Sequence, residues 1–293
     1  MPIVSLKEAD IHYFELKRSS DQLEGLAPLV MVHGLGANLA FWYNLASNFL
    51  PFVDRIILFD LRGHGRSSIS QSGYTASSMA TDLIQLMDYL DIAKSHLIGH
   101  SFGGSVVLHC ACEYGHRVSS IVLADVRLRC LQPVQRLQDW YHWEKYRVAL
   151  EAAGIVLDPA DPESGYLLLQ ELAESQLRQP GQSAPMKDLL SPFSGKSGKR
   201  TAARWLKLLA TSTAKEDFLQ CEAFSIEQLA AISQPKLGVY GEYSQAVATA
   251  RELKKLWSRM ELSMIPKAGH FFPMSRPQEF IQATNNFLKQ VKD

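Results

Sequence analysis

The stretch SHLIGHSFGGSVVLHC, residues 95–110, decides the fold. Leu97 and Ile98 open an apolar run that halts at Gly99. After Ser101 come Phe102 and two glycines, and SFGGSVVLHCACEYG (101–115) reads as a helix rich in small residues. The inner segment GHSFG (99–103) fits G-x-S-x-G with a strand before it and a helix after it. A strand-to-helix turn this sharp needs small residues beside the serine, and Gly99 and Gly103 supply that room. Gly104 lets the helix pack close to the strand. Such a turn holds Ser101 Oγ up at the sheet edge, where the helix N-terminus beneath it favours developing negative charge.

Outward from this stretch the chain alternates strands and helices. IHYFELK (11–17), PLVMVHG (28–34), DRIILFDLRG (54–63) and SSIVLAD (119–125) read as strands, PLVMVHG and DRIILFDLRG as buried runs. FWYNLASNFL (41–50) has helical spacing. TASSMATDLIQLMDYLD (75–91) carries Met79, Leu83, Leu86, Met87 and Leu90 on one stripe, an amphipathic helix. After Asp125 the rhythm breaks, and residues 126–232 show helical patterns with no strand. It resumes with the strand 235–242, the helix 248–260, the strand 261–269 and the helix 277–291. Strand and helix in alternation predict an α/β fold, a mostly parallel central sheet with helices on both faces. The core is expected from 1–125 and 233–293, with 126–232 inserted as a helical cap over the strands' C-terminal edge, where such sheets bind ligands.

The chain of 293 residues has 30 basic and 30 acidic side chains, so no global field recruits nucleic acid or an acidic membrane surface. Cys110, Cys112, Cys130 and Cys221 form no C-x-x-C pair and read as reduced, buried thiols. MPIVSLKEADIHYF lacks the basic-then-apolar order of a signal peptide, and no apolar run is long enough to cross a bilayer. The expectation is a soluble, cytoplasmic protein acting on a small molecule. RQPGQSAPMKDLLSPFSGKSGKR (178–200) reads as a surface loop. Its GKS lacks the upstream glycine and strand of a phosphate-binding loop.

Two further segments carry chemistry. HGLGA (33–37) follows a strand, and a Gly-rich turn there aims a backbone N–H at the reaction centre. Leu35 N–H and Phe102 N–H then make a two-donor oxyanion hole. His33 reads as a brace for its own loop. PKAGHFFPMSRP (266–277) places His270 just after the last strand, positioned to be the base for Ser101 because an imidazole titrates near neutrality. His64 and His100 read as bracing residues. His12, His96, His109 and His116 lie away from the site, and His142 is a cap residue that can touch substrate.

HGLGA, DLRGHGRSS (60–68), GHSFGG (99–104) and AGHFFP (268–273), in this order, resemble the α/β-hydrolase fold family, most of all its esterase-like branch with a helical cap. The resemblance implies a Ser–Asp/Glu–His triad, an oxyanion hole and no cofactor. It implies a mainly structural role for Asp60 and Arg62. Relatives with an Asp nucleophile, haloalkane dehalogenases and epoxide hydrolases, are disfavoured by Ser101. One departure stands out. Relatives with a G-E-x-D turn carry the triad acid at its fourth position, which here is Ser244 in GEYS (241–244). Three readings compete: the acid has moved to Asp125 at the end of the preceding strand, Glu242 substitutes, or there is none. Asp125 is the favoured one. In the cap, Trp140, Trp143 and Tyr146 recur at a spacing of three, as a stripe that packs on the body or a face that grips substrate. The leading expectation is a serine hydrolase of a carboxylic ester or thioester with an apolar part. The alternatives are a C–C bond hydrolase of a diketone-like substrate and a non-catalytic ligand receptor on the same fold.

Overall fold

The computed structural model describes residues 2–18, 25–178, 191–193, 195, 197–219 and 224–291. Its eight strands are Ile3–Ser5 (β1), Asp10–Lys17 (β2), Leu29–Val32 (β3), Arg55–Phe59 (β4), Ser95–His100 (β5), Val118–Ala124 (β6), Lys236–Gly241 (β7) and Glu261–Ile265 (β8). They form one sheet in the order β1-β2-β4-β3-β5-β6-β7-β8. β1 and β2 run antiparallel to their neighbours, and β3 to β8 are parallel. The short β1 was not foreseen from the sequence. Three residues are too few to show an alternation.

The apolar runs become central strands because both faces of the sheet are covered. Val30, Val32, Ile57, Phe59, Leu97 and Leu123 point to one face, and Leu29, Met31, Ile56, Leu58, Ile98 and Val122 to the other. That alternation is the period-two geometry of a strand, masked in sequence because neither face meets water. Helices Ala76–Tyr89 (α2) and Phe102–Glu113 (α3) cover the first face with Met79, Leu83, Val106, Val107 and Cys110. Thr75 caps α2 by accepting the Ser78 N–H at 3.2 Å. Helices Ala40–Ala46 (α1) and Pro277–Gln290 (α11) cover the second with Trp42, Phe280 and Phe287. The predicted helix 41–50 is cut short: from Ser47 to Phe52 the backbone tightens into a 3₁₀ turn holding Pro51.

The described residues between β6 and β7 form helices and no strand: Trp143–Ala152 (α4), Ser164–Arg178 (α5), Gly198–Thr211 (α6), Ala214–Leu219 (α7) and Ile226–Ala231 (α8). Val247–Leu256 (α9) follows β7, and a single turn, Phe272–Ser275 (α10), precedes α11. Most of the predicted surface loop 178–200 lies outside the described residues, as does Cys221. The loop's end is corrected, since α6 begins at Gly198 and Phe193 is buried. Of the thiols, Cys110 is buried, whereas Cys112 and Cys130 are only partly so. Among the described residues no helix is long and apolar enough to cross a membrane.

The strand order places the site. β4 and β5 lie on opposite sides of β3, so successive connections depart in opposite directions and leave a crevice at the C-terminal ends of β3 and β5. The loop 33–37 and Ser101 start there.

Candidate active site

Ser101 follows β5 directly and adopts φ 54°, ψ −126°. A left-handed φ costs a non-glycine residue about 1–3 kcal/mol and persists only where the surroundings enforce it. Here the Ser101 N–H donates to Ala124 O at 3.0 Å and the Ser101 carbonyl accepts the Gly104 N–H at 2.9 Å. The room required of Gly104 is real, because a Cβ there would stand 2.1 Å from Val126 Cγ2. Gly34 is constrained from the other side, and its Cβ would sit 2.9 Å from the Cβ of Ser101. The turn after β3 is therefore pressed against the serine. Leu35 and Phe102 both line the cavity onto which Ser101 opens. Among the described residues neither N–H donates to a protein acceptor, and the Phe102 N–H, first in α3, has no intrahelical partner.

His270 stands on the loop between β8 and α10. Its Nδ1–H donates to Asp125 Oδ2 at 2.7 Å, and its ring lines the same cavity as Ser101. No hydrogen bond joins the two in this state; catalytic hydrogen bonds are often long before substrate enters. The loop is held by His100, whose Nε2–H donates to the His270 carbonyl at 3.0 Å while its ring stacks on Phe41. Burial drives the His100 pKa well below the usual imidazole value, so this brace stays neutral.

Asp125 is fully buried at the end of β6, at φ 54°. β6 and β7 are parallel neighbours, with Ala124 paired to Val239, so the end of β6 meets the turn after β7. Asp125 Oδ1 accepts the Gly241 N–H at 3.0 Å. Oδ2 takes the Ser244 hydroxyl as well as His270, and Ser244 Oγ in turn accepts the Ala246 N–H at 3.0 Å. Three donors thus hold one buried carboxylate, with no cation needed. Glu242, the other candidate acid, is exposed and accepts the Lys267 N–H at 2.8 Å, which ties down the turn before His270. It makes no contact with the imidazole.

Three other histidines, His33, His64 and His12, brace the scaffold. His33 Nδ1–H donates to Gly34 O at 2.8 Å and its Nε2 accepts the Leu61 N–H at 3.1 Å, so both nitrogens are spent on backbone. Burial lowers its pKa. His64 Nδ1–H donates to Arg62 O at 2.9 Å, and burial, then the nearby His33, lower its pKa to about 3. Asp60 accepts His12 Nδ1–H, Leu39 N–H and Arg66 N–H, and Arg62 forks onto buried Asp82 with two 2.6 Å bonds. Both are structural, as the motif implied.

A cavity of about 420 Å³ lies over Ser101 and His270, roofed in part by residues from between β6 and β7. Trp140 and Tyr146 line it; Trp143 does not. The expected stripe is corrected at that point. Leu137–Asp139 is a 3₁₀ turn, Trp140 is extended at its end, and α4 begins only at Trp143, so the spacing of three does not lie on one helix. Trp143 packs against the main core only, whereas Trp140 packs on that core and lines the cavity as well. His142 is also off the cavity wall, set against Tyr141 and Tyr243, which stack 4.1 Å apart between the helical segment and the β7 turn. Sequence reasoning missed the hydroxyl of Ser244 as a donor to Asp125. The position was conspicuous as the place of an absent acid, but a serine there signals nothing until β6 and β7 are paired.

The model for the alpha/beta hydrolase fold matches residues 27–277. Over 269 residues, 91% of this chain, the protein is 30% identical to the dihydrolipoyllysine-residue acetyltransferase component of an acetoin cleaving system from Pseudomonas putida, of which it spans 65%. It is 27% identical over 270 residues, 89% of this chain and 78% of the relative, to the sn-1-specific diacylglycerol lipase ABHD11 of Danio rerio. Among solved structures, a thermophilic esterase from Thermogutta terrifontis superimposes over 100% of both chains with a TM-score of 0.68 at 21% identity, a likeness of fold. The chain spans less than two thirds of the length of the first of these curated relatives. With the matched span, the sheet order and the strained serine turn in agreement, this chain belongs to the alpha/beta hydrolase fold family.

Proposed function

We propose that this protein is a hydrolase that cleaves a carboxylic ester or thioester of a largely apolar small molecule, through Ser101, His270 and Asp125. The observation that carries this reading is the 2.7 Å bond from His270 Nδ1–H to buried Asp125, beside a serine at the strand–helix elbow. Bonded so, the imidazole keeps its proton on Nδ1 and presents Nε2 as the base. Ser101 Oγ attacks the carbonyl carbon as Nε2 takes its proton. The Leu35 and Phe102 N–H groups receive the oxyanion. Collapse expels the alcohol or thiol, which leaves with the proton from His270, and an acyl-serine remains. Water, deprotonated by the same nitrogen, then attacks and releases the acid and Ser101. Residues 126–232 act as the cap, with Trp140 and Tyr146 against the substrate.

The test is covalent labelling by a fluorophosphonate together with hydrolysis of p-nitrophenyl butyrate. Wild-type protein should do both and Ser101→Ala neither. Esterase activity undiminished in Ser101→Ala would remove Ser101 from the mechanism. A wild-type protein that neither labels nor hydrolyses would favour a non-catalytic receptor.

A further inference from the structure

The charge around the cavity is one-sided. Arg127, Arg129, Lys267 and Arg276 line it, and among the described residues no aspartate or glutamate does, although the whole chain is balanced at 30 basic and 30 acidic residues. The nearby carboxylate, Asp125, is fully buried and committed to His270. The four cations are not equivalent. Arg127 spends Nε and Nη2 on the carbonyls of Gln132 and Pro133. Arg276 stands 3.8 Å from Glu279, and Lys267 is exposed.

Arg129 differs. It is partly buried just beyond β6. Its Nη1–H donates to Leu219 O at 2.7 Å, and its guanidinium carbon lies 5.5 Å from the centre of the Tyr166 ring. A carbonyl and an aromatic face orient the group without neutralising it. Among the described residues no carboxylate pairs with it. A cation drawn partly out of water with no counter-charge is costly, so a ligand that brings the counter-charge gains by it. The planar fork suits carboxylate and phosphate, which accept two of its N–H bonds at once.

We propose that Arg129 is the anion-binding residue of this cavity, and that the substrate is an ester or thioester bearing a carboxylate or phosphate remote from its scissile carbonyl. This rests on the serine-hydrolase reading above and adds its substrate class. The apolar wall beside Arg129, Leu168, Leu169 and Leu172, takes the hydrocarbon between the two ends.

The experiment compares the mono-p-nitrophenyl esters of succinate, glutarate and adipate with their methyl-capped neutral counterparts, and includes the p-nitrophenyl ester of 4-phosphonobutyrate. Wild-type protein should favour at least one anionic ester over its neutral counterpart by about tenfold or more in kcat/KM. Arg129→Ala should bring that ratio close to one, and Arg129→Lys should restore it only in part, while the neutral esters stay within about twofold of wild type. The chain length that gains most reports the reach from Ser101, and the phosphonate against the carboxylates identifies the anion. A wild-type preference for neutral esters, or a ratio that survives in Arg129→Ala, would overturn the proposal. Hydrolysis of neutral esters by Arg129→Ala keeps the two readings separate, because it upholds the hydrolase chemistry whatever the ratio does. If no ester is turned over, calorimetric titration of glutarate into Ser101→Ala decides. Binding abolished by a further Arg129→Ala supports the anion site, and absence of binding refutes it.

Discussion

Replacing Asp125 by asparagine should disable the base without unfolding the protein, and the hydrogen bonds say how. Oδ1 accepts a fixed backbone donor, Gly241 N–H, while Oδ2 accepts His270 Nδ1–H and a rotatable hydroxyl, Ser244. An asparagine has one oxygen to offer. Gly241 N–H cannot turn away, so the oxygen stays there and the NH₂ group takes the place of Oδ2. Ser244 can rotate to accept from it. The imidazole can only meet an NH₂ by accepting at Nδ1, which moves its own proton to Nε2 and leaves nothing to deprotonate Ser101. In a serine protease the same exchange costs about ten-thousandfold in turnover through the wrong tautomer. We expect a loss of at least about a hundredfold in kcat on p-nitrophenyl butyrate at pH 7.5. Asparagine tolerates the left-handed φ of 54° at this position. The destabilisation should therefore be about 1–3 kcal/mol, from three weakened bonds to a charged group. The tautomer itself is visible in the ¹⁵N NMR spectrum of labelled histidine, where the proton should move from Nδ1 to Nε2 of His270. Glu242→Gln, which touches only the Lys267 turn, should stay within about threefold of wild type. Turnover retained in Asp125→Asn and lost in Glu242→Gln would refute the reasoning, as would a His270 that keeps its proton on Nδ1.

Three other outcomes are expected. Gly34→Ala should lower kcat more than the melting temperature, because its Cβ would lie 2.9 Å from that of Ser101, whereas Gly104→Ala, 2.1 Å from Val126, should lower the melting temperature by calorimetry. Tyr146→Ala should shift the preferred acyl chain length of p-nitrophenyl esters with little loss of stability; Trp140→Ala, which removes both a cavity wall and a core contact, should shift it and lower the melting temperature, and Trp143→Ala should lower the melting temperature alone. Stability should fall as pH drops below about 6.5, because His64 is held neutral by burial, with its pKa lowered from 6.5 to about 3, while an unfolded His64 takes up a proton across that window. The 1.5 units between pH 6.5 and 5 correspond to about 2 kcal/mol in urea unfolding for His64, and His64→Gln should flatten the slope by that amount. His33 and His100, lowered in the same direction, should keep a residual slope in that variant.

Local information was enough for the scaffold. A buried strand such as Val118–Ala124 is an apolar run, a serine elbow is a run of small residues, and an amphipathic helix such as α2 repeats its stripe every three to four residues. Each of these is written within about fifteen neighbouring positions, which is why Ser101, Gly104 and the loop of His270 were legible before any coordinates. Where the periodicity was spread over a turn, as in Trp140, Trp143 and Tyr146, the same reasoning assigned one helix to what is a turn and a helix start. Properties of pairs were a different matter. That Asp125 and not Glu242 meets His270 depends on β6 lying beside β7 and on β7 delivering Gly241 and Ser244 to the carboxylate, a contact across 145 residues of sequence for the imidazole and 119 for the hydroxyl. That Arg129 is held at the cavity by a carbonyl and an aromatic face depends on Leu219 and Tyr166 arriving from helices far along the chain. Side-chain type and local spacing are carried by the chain itself, whereas charge balance and hydrogen-bond partners at a site are set by which distant strand ends the sheet brings together.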